Sequence, residues 1–401
     1  MWEWSLAAGF ALHVGVFLSF YLYSGNYTRM SFPDRAVGIA PDFGCRTADP
    51  PAVSMIVPVT GNAEGMIEAL QSLVRQDYPN LEVLFVTRDA KDPAMELVRM
   101  VQAEVPDIRH VTAGKAEGCG QKNHNLLAGV AASNPGSEIL VFCDGTHRAR
   151  PDFLGHLVSP LVRGEASLSS GFHRILPGSF SLSVLGMLFA VLFIHLLHPI
   201  RFITQPWGGA TAVKRKPFEE YGVRDVWAEN ILDDFPLGLT LLRHGIRCYP
   251  VSMACLETPL DRLKMGELLD WLQRQIHYLK FCMPWTWAAM SLAIVFVLGA
   301  LVAAVGLVLA WPFGLFPAWL GGGAMMFLVL LSVVGAAYRS LVPARIPLLP
   351  WLGAFYCFIF ISAWCYLRTV PSNVLTWRDI SYRVGWGGKV LEILNDSQAH
   401  G

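Results

Sequence analysis

The sequence predicts an α/β domain with a mainly parallel sheet, inserted between transmembrane helices. Hydrophobic residues make up 53% of the 401 residues and charged residues 15%, whereas a soluble domain has about 25% charged residues. The stretch 284–337 contains no Asp, Glu, Lys or Arg, and most acidic residues lie between 47 and 270. The formal net charge is zero. This composition argues against a disordered chain and against a nucleic-acid partner bound through a basic surface.

The first apolar run, residues 5–23, is uncharged and long enough to cross a membrane, so residues 1–28 are predicted to form an N-terminal transmembrane helix. A cleaved signal peptide is the alternative, but no basic region precedes the run and no small-residue cleavage site follows it. Arg29 and Arg35 come after the run and only Glu3 precedes it. The positive-inside rule then places the N-terminus outside and the following domain in the cytosol.

Further transmembrane segments are predicted between residues 285 and 370. Residues 286–310 and 320–337 read as two spans joined by a Pro- and Trp-rich turn. Residues 348–367 form a fourth apolar segment, which either crosses the membrane or re-enters on the same side. A full crossing would leave the polar tail, residues 371–401, outside.

Hydrophobic periodicity between residues 45 and 280 predicts alternating strands and helices, which indicates a parallel sheet covered on both faces. Strands are predicted at Ser54–Val59, Leu81–Thr87, Ile108–Thr112 and Glu138–Cys143, and helices at Gly65–Arg75, Pro93–Val105 and Asn123–Ala132. The apolar run within 182–202 is short for a span, so we expect an interfacial helix that offers an apolar surface. Residues 262–284 are predicted to be an amphipathic segment.

Acidic residues follow the predicted strands. Asp89 and Asp92 come after the second strand, Asp144 directly follows the fourth, and the pair Asp233–Asp234 precedes an apolar helix. Carboxylates also serve as helix caps and favour helix N-termini, which is the alternative interpretation of each one alone. Because ligands bind such sheets at the carboxyl ends of the strands, the three sites together predict chemistry at one sheet edge.

The order and spacing of several short motifs resemble those of the ceramide glucosyltransferase family, which are inverting, family-2-like membrane glycosyltransferases. The matching stretches are Asp77-Tyr78-Pro79, Asp89 to Ala94, Lys122-x-x-Asn125, Cys143-Asp144 with Arg148, His198-Pro199, Gly209 to Lys216, Asp234, and Trp377-Arg378 to Gly388. The resemblance implies a GT-A-type (Rossmann-like) mixed, mainly parallel sheet. It also implies a UDP-sugar donor, a divalent cation (Mg²⁺ or Mn²⁺) and a lipid acceptor.

The resemblance also implies roles for the acidic residues. Asp234, with Asp233 beside it, would be the general base that activates the acceptor hydroxyl. Asp144 would hold the divalent cation on the diphosphate, since hard oxygen ligands suit Mg²⁺ and Mn²⁺. Asp89 and Asp92 would contact the nucleoside.

Other residues of the UDP-sugar site are implied in the same way. Lys122, Asn125, Arg148 and Gly209 would contact the donor. His198 would line the entrance for the acceptor.

One motif departs from the family pattern. Where the family has Q/R-x-x-R-W against the diphosphate and acceptor, this chain reads Arg274-Gln275-Ile276-His277-Tyr278. The resemblance implies that Arg274, His277 and Tyr278 are catalytic. His277 can donate a hydrogen bond, but it lacks the fixed charge and bidentate fork of arginine.

We therefore expect a membrane-bound inverting glycosyltransferase that moves a sugar from a UDP-sugar to a lipid hydroxyl, with ceramide as the acceptor. A hopanoid or diacylglycerol acceptor and a processive polysaccharide synthase are alternative enzymes, although four apolar segments are few for a polymer channel. A catalytically silent membrane scaffold is the non-enzyme alternative. The Arg- and Ala-rich composition indicates a bacterial inner membrane, and the sugar and oligomeric state stay open.

Overall fold

The computed structural model describes residues 2–32, 40–43 and 50–394. The strands are β1 (Val53–Pro58), β2 (Leu81–Thr87), β3 (Arg109–Thr112), β4 (Ile139–Cys143), β5 (Leu168–Pro177), β6 (Ala210–Lys214), β7 (Cys248–Leu260), β8 (Val374–Trp377), β9 (Ile380–Val384) and β10 (Val390–Leu394). The α-helices are α1 (Trp2–Met30), α2 (Met66–Val74), α3 (Ala94–Glu104), α4 (Gln121–Ala132), α5 (Phe153–Val162), α6 (Leu182–Leu197), α7 (Arg215–Glu220), α8 (Val223–Ala228), α9 (Asp234–Arg243), α10 (Met265–Cys282), α11 (Pro284–Ala310), α12 (Ala318–Ala337) and α13 (Leu348–Thr369).

The main sheet has the strand order β3-β2-β1-β4-β6-β5-β7 in the part of the chain that is described. β6 runs antiparallel to both its neighbours, and the other strands are parallel to one another. This confirms the predicted mixed, mainly parallel sheet. The carboxyl ends of β1, β2 and β4 therefore meet at one edge, where the acidic residues follow.

Side-chain alternation along the central strands builds two cores, one on each face of the sheet. On one face Met55 and Val57 of β1 pack among the apolar residues of α2, α3 and α5. On the other face Ile56 packs with Leu126 of α4 and Trp227 of α8. These strands are buried on both faces, which explains why they read as continuous apolar runs.

A two-stranded ribbon connects the sheet to the apolar helices. β5 pairs with β6 only over Leu168–Ser170 and then continues beside β7 as far as Pro177. Its end leads into α6, and the end of β7 leads into α10. Arg174 on this ribbon donates to the carbonyl of Ser31, just after α1, and pairs with Glu257 of β7 at 2.5 Å. The sheet domain and the apolar helices therefore form one packed body.

Four helices in the described ranges are long and apolar enough to cross a membrane: Glu3–Met30, Pro284–Phe313, Ala318–Leu341 and Leu348–Thr369. α1 lies alongside α12, with Trp4 stacked on Trp319 and Phe10 stacked on Phe327. The short helix α6 is mostly buried, because it packs against α1, α13 and the ribbon. It therefore presents much less apolar surface than the sequence predicts.

The C-terminal segment is folded rather than a plain polar tail. Strands β8, β9 and β10 form an antiparallel sheet that packs on the main domain. The Gln121 backbone N–H donates to the Tyr382 hydroxyl at 3.2 Å, and the Ile231 N–H donates to the Gly388 carbonyl at 2.9 Å. This sheet closes over the same edge that carries the acidic residues.

Candidate active site

A lysine joins two of the predicted acidic positions. Lys122, on the first turn of α4, places its Nζ 2.9 Å from Asp144 Oδ1 and 3.1 Å from Asp233 Oδ2. Asp144 directly follows β4, and Asp233 directly precedes α9. Burial alone would lower the pKa of Lys122, but the charges of Asp144 and Asp233 outweigh burial and raise this pKa above its usual range. The lysine is therefore a fixed ammonium group at the sheet edge.

The beginning of α4 is tied to the loop before α9. Asn123 Nδ2 donates to the carbonyl oxygens of Trp227 (3.3 Å), Asn230 (2.9 Å) and Leu232 (2.8 Å). Asn123 was not predicted; the motif interpretation chose Asn125 instead. These hydrogen bonds fix the position of Lys122 relative to Asp233. No local sequence pattern indicates these hydrogen bonds.

The predicted Asn125 turns back onto its own helix. Its amide oxygen accepts a hydrogen bond from Gln121 Nε2 at 2.9 Å, and its side chain is buried. Gln121 also donates to the Gly114 carbonyl. Asn125 thus supports the first turn of α4 rather than facing the carboxylates.

Asp234 is the first residue of α9 and is partly buried. Its Oδ1 accepts from the Phe235 N–H at 2.7 Å, and its Oδ2 accepts from the Gly208 N–H at 3.5 Å. Burial and the negative charge of Asp233 raise the pKa of Asp234 to about 7, although Lys122 acts in the opposite direction. A carboxylate that titrates near neutrality suits a general base.

The glycine pair before β6 lets the backbone approach the carboxylates. A Cβ at Gly208 would overlap the Asp233 carboxylate and the Lys122 ammonium group, and a Cβ at Gly209 would overlap the ring of Trp207. Gly209 was the predicted donor contact, and its carbonyl accepts from the Asp144 N–H at 3.3 Å. Gly208, its neighbour, makes the close approach to the Asp233 carboxylate.

Two residues of the 274–278 motif face this cluster. Arg274 and Tyr278 lie one turn apart on α10, and residues four apart share a helix face. Burial raises the pKa of Tyr278 to about 12; the charge of Asp234 adds to this shift, whereas that of Arg274 opposes it. α10 therefore places Tyr278 near Asp234, and Arg274 lies on the same face of the helix.

His277 lies on a different face of α10. Its ring is buried and stacks on Phe281, with ring centroids 5.6 Å apart. Burial lowers the pKa of His277 to about 4, and the nearby charges of Lys280 and Arg368 add to this shift. The structure therefore does not bring this neutral histidine to Asp144 and Asp234.

Asp92 anchors the loop that follows β1. Its two carboxylate oxygens accept from Thr60 Oγ1 at 2.6 Å and from the Gly61 N–H at 2.7 Å. It also accepts from the Ala94 N–H at 2.9 Å, as a helix cap does. Asp92 thus joins the carboxyl ends of β1 and β2, where the predicted nucleoside site lies.

The remaining predicted donor residues lie at the rim. Asp89 is partly exposed and pairs with Arg88 at 3.2 Å. Hydrogen bonds from Lys91 N–H and Arg88 lower the pKa of Asp89. Arg148 faces Glu68 of α2, 3.9 Å away. Neither side chain forms an ion pair with Lys122 or the carboxylates that it joins, within the residues described.

Arg378 belongs to one of the stretches that match the family, but the sequence analysis assigned it no role; the structure brings it to the candidate site. It occupies the β8–β9 turn with φ 56, and it is the one described non-glycine residue with positive φ; such strain often marks functional sites. Its Nη1 donates to the Thr60 carbonyl at 2.7 Å. Burial lowers the pKa of Arg378; Asp92 opposes this shift and Arg274 adds to it.

Arg274 and Arg378 therefore approach the same region from two different segments. Across the described ranges neither guanidinium forms an ion pair with a carboxylate. Two neighbouring guanidinium groups that form no ion pair favour the binding of an anion.

The predicted acceptor residue His198 lies deeper, beside α1. Its Nδ1 is 2.8 Å from the Tyr27 hydroxyl, and burial lowers the pKa of His198 to about 4. The ring of Phe172 contacts both His198 and Trp207, and Trp207 stacks on His173 with centroids 4.6 Å apart. This aromatic wall separates His198 from the carboxylates, so the structure does not place it at the reacting groups.

The donor set at Asp144 fits a divalent cation that binds together with a nucleotide. Among the described residues, no group of three or more His, Cys, Asp or Glu side chains could hold a metal ion by itself. Asp144 is about one-third exposed and already pairs with a cationic group. Mg²⁺ is commonly bound by one or two carboxylates plus substrate phosphates and water, which is what this edge offers.

The mixed sheet, with acidic residues where its parallel strands end, defines a glycosyltransferase of the GT-A type. More particularly, the chain belongs to glycosyl transferase family 21, whose sequence profile matches residues 40–390. It is similar to ceramide glucosyltransferase 1 of Caenorhabditis elegans, with 20% identity over 362 residues that cover 87% of this chain and 75% of the relative. The resemblance drawn from the sequence motifs is thereby confirmed.

Two similar solved structures are also glycosyl-transferring enzymes. The mannosyltransferase PcManGT from Pyrobaculum calidifontis, in complex with GDP-Man and Mn²⁺, shares 20% identity at a TM-score of 0.49, covering 92% of this chain and 97% of that one. Glucosyl-3-phosphoglycerate synthase from Mycobacterium tuberculosis, in complex with Mn²⁺ and UDP-glucose, shares 20% identity at a TM-score of 0.36, covering 57% and 78%.

Replacing Lys122 by Met should destabilise the fold. The substitution leaves the buried Asp233 carboxylate without its partner, and breaking a buried ion pair in this way costs about 3 kcal/mol. Thermal unfolding of the detergent-purified variant should show a lower midpoint. Lys91→Met, at an exposed loop position, is the matched control. Equal midpoints for the two variants would show that the Lys122 ion pairs do not support the fold.

Proposed function

We propose that this protein transfers a sugar from a UDP-sugar to a lipid hydroxyl with inversion of the anomeric configuration, and that ceramide is the acceptor. The proposal depends mainly on the surroundings of Asp234. It is a carboxylate with a pKa near neutrality, at the sheet edge and one helix away from the apolar helices. The catalytic domain is proposed to face the cytosol.

Asp234 is proposed to act as the general base. Its carboxylate accepts the proton of the acceptor hydroxyl while the hydroxyl oxygen attacks the anomeric carbon. The bond from the anomeric carbon to the diphosphate oxygen breaks on the opposite face, and UDP leaves with the bonding electrons. One such displacement inverts the configuration. A pKa of about 7 leaves a substantial fraction of Asp234 ionised at neutral pH.

Positive charge is proposed to stabilise the leaving diphosphate. Arg274 and Arg378 supply two guanidinium groups that form no ion pair in the described structure, and arginine binds phosphate oxygens through parallel hydrogen bonds. A divalent cation held by Asp144 would supply further charge to the leaving group when bound. Lys122 keeps Asp144 and Asp233 in place and limits their repulsion of the diphosphate.

The lipid acceptor is supported by the position of α10. On one face of this helix Tyr278 is close enough to Asp234 for their charges to interact. Elsewhere on the same helix the Leu269 carbonyl accepts a hydrogen bond from Cys365 Sγ of the apolar helix α13 at 3.6 Å. The single helix α10 therefore contacts both the surroundings of the proposed base and the apolar helix α13, beside which a lipid hydroxyl can lie. The relative from C. elegans is named for a ceramide acceptor.

Asp234→Asn should abolish transfer while leaving donor binding intact. The amide cannot take the hydroxyl proton, so kcat should fall by about 10²–10⁴-fold. The assay is UDP release and glycolipid formation by detergent-purified protein with UDP-sugars, ceramide and Mn²⁺. Asp107→Asn, at an exposed position, is the control. A variant with parental kcat would exclude Asp234 as the base, and a folded parent inactive with every UDP-sugar and lipid would exclude the function.

Arg378→Ala should weaken use of the donor rather than of the lipid. Loss of a charge-assisted contact of about 1.5–3 kcal/mol should lower kcat/KM for the UDP-sugar by about 10–100-fold. The KM for the lipid should stay near the parental value. Arg383→Ala removes an exposed arginine of the same small sheet, which pairs with Glu392, and should leave both constants unchanged. Equal effects of the two substitutions would argue against a diphosphate contact by Arg378.

A further inference from the structure

Helix α13 decides on which side of the membrane the C-terminal sheet lies. It is 22 residues long and apolar enough to cross. Its beginning packs beside the end of α12: Trp351 Nε1 donates to the Gly335 carbonyl at 2.8 Å, and Arg339 Nη2 donates to the Ile346 carbonyl at 2.6 Å. The first turn of α13 is therefore level with the last turn of α12.

The other end of α13 packs beside the beginning of α11. Lys280 Nζ, four residues before α11, donates to the carbonyls of Thr369 at 2.7 Å and Ser372 at 2.8 Å. Trp287 Nε1 donates to Thr369 Oγ1 at 3.1 Å, and its ring stacks on Tyr366 with centroids 5.0 Å apart. The last turn of α13 is therefore level with the first turn of α11.

These two places lie at the same end of the helix bundle. α11 and α12 are joined by the short turn 311–317, and a Cβ at Gly321 would overlap the ring of Trp311, so the helices leave this turn side by side. The beginning of α11 and the end of α12 are both at the opposite end from the turn. We call that end, which adjoins the sheet domain through α10, the near end. Both ends of α13 are at the near end.

The position of the C-terminal sheet also indicates that α13 does not cross the membrane. α11 leaves the sheet domain and α12 returns, which makes two crossings. A third crossing would put the C-terminal sheet across the bilayer from the domain. Yet Asn230 Nδ2 donates to the Gly387 carbonyl at 2.8 Å and the Val390 N–H donates to the Glu229 carbonyl at 2.8 Å.

The distribution of basic residues along the helices also agrees with an α13 that does not cross the membrane. Arg29, Arg339, Arg345 and Arg368 all lie near the ends of helices that face the sheet domain, and the turn 311–317 contains no charged residue. With α13 at the near end, the basic residues around the helices share one side, as the positive-inside rule expects for the cytosolic side. The conflict that a full crossing of 348–367 would create disappears.

We infer that α1, α11 and α12 cross the membrane, whereas α13 lies along the near leaflet and returns the C-terminal sheet to the catalytic side. The face of α13 that carries Trp351, Phe355 and Cys365 is buried against the protein. The other face carries exposed apolar residues, namely Leu349, Phe360, Trp364 and Leu367. The partner of this exposed face is the acyl-chain and interfacial region of that leaflet.

Cysteines introduced one at a time into the native chain, and labelled with a membrane-impermeant maleimide, test the inference in sealed vesicles of known orientation. Leu315→Cys reports the 311–317 turn, Leu391→Cys reports β10, and Met100→Cys reports the sheet domain; these side chains are 67%, 65% and 51% exposed. The unsubstituted chain gives the background from native cysteines. We expect Leu391→Cys and Met100→Cys to react from one side and Leu315→Cys to react from the other.

Two labelling patterns would overturn the inference. If Leu391→Cys reacts from the same side as Leu315→Cys, α13 crosses the membrane. If Leu315→Cys reacts from the same side as Met100→Cys, the α11–α12 hairpin does not cross.

A zero-length carbodiimide tests the packing independently in the chain without new cysteines. Lys389 Nζ is 2.6 Å from Glu229 Oε2, so we expect an amide between them, detected by mass spectrometry and lost in Lys389→Arg. A parent chain without this cross-link would contradict the docking of the C-terminal sheet on which the inference rests.

Discussion

The ammonium group of Lys122 joins the segments that form the candidate active site. It lies between carboxylates from two separate segments, one after β4 and one before α9. Without it, Asp144 and Asp233 would repel each other across a partly buried edge. The hydrogen bonds of Asn123 fix the same helix end to the same loop. The electrostatic environment of Asp234, and hence its suitability as a base, follows from this arrangement.

The same edge is bounded by elements that belong to the membrane part. α10 contributes Arg274 and Tyr278 and packs against α13, and the small C-terminal sheet contributes Arg378 after the chain has passed through the apolar helices. The ribbon of β5 and β7 joins the sheet to the end of α1 through Arg174. Arg274 and Tyr278 precede the helices α11, α12 and α13 in sequence, and Arg378 follows them. The candidate site is therefore complete only if these helices bring the C-terminal sheet back to the main domain.

Much of the sheet domain could be predicted because its signals are local. The strands show as buried apolar runs, and Asp144 and Asp234 follow from the places where elements begin and end. The contacts of Asn123 and Arg378 join segments more than 100 residues apart, so no short pattern indicates them. His277 and Tyr278 are adjacent in sequence but about 100° apart around α10, and only the packing of that helix determines which one faces the carboxylates.

The pH dependence of kcat/KM for the parent and for Asp233→Asn tests the role of Asp234 as the base most directly, since this profile reports the ionisation of the free enzyme. The parental activity should fall as the pH drops through about 7, because Asp234 becomes protonated. The negative charge of Asp233 raises the pKa of Asp234, so its removal should lower that pKa and move the acidic limb to lower pH. An acidic limb that stays in place or moves to higher pH would contradict the assignment of Asp234 as the base.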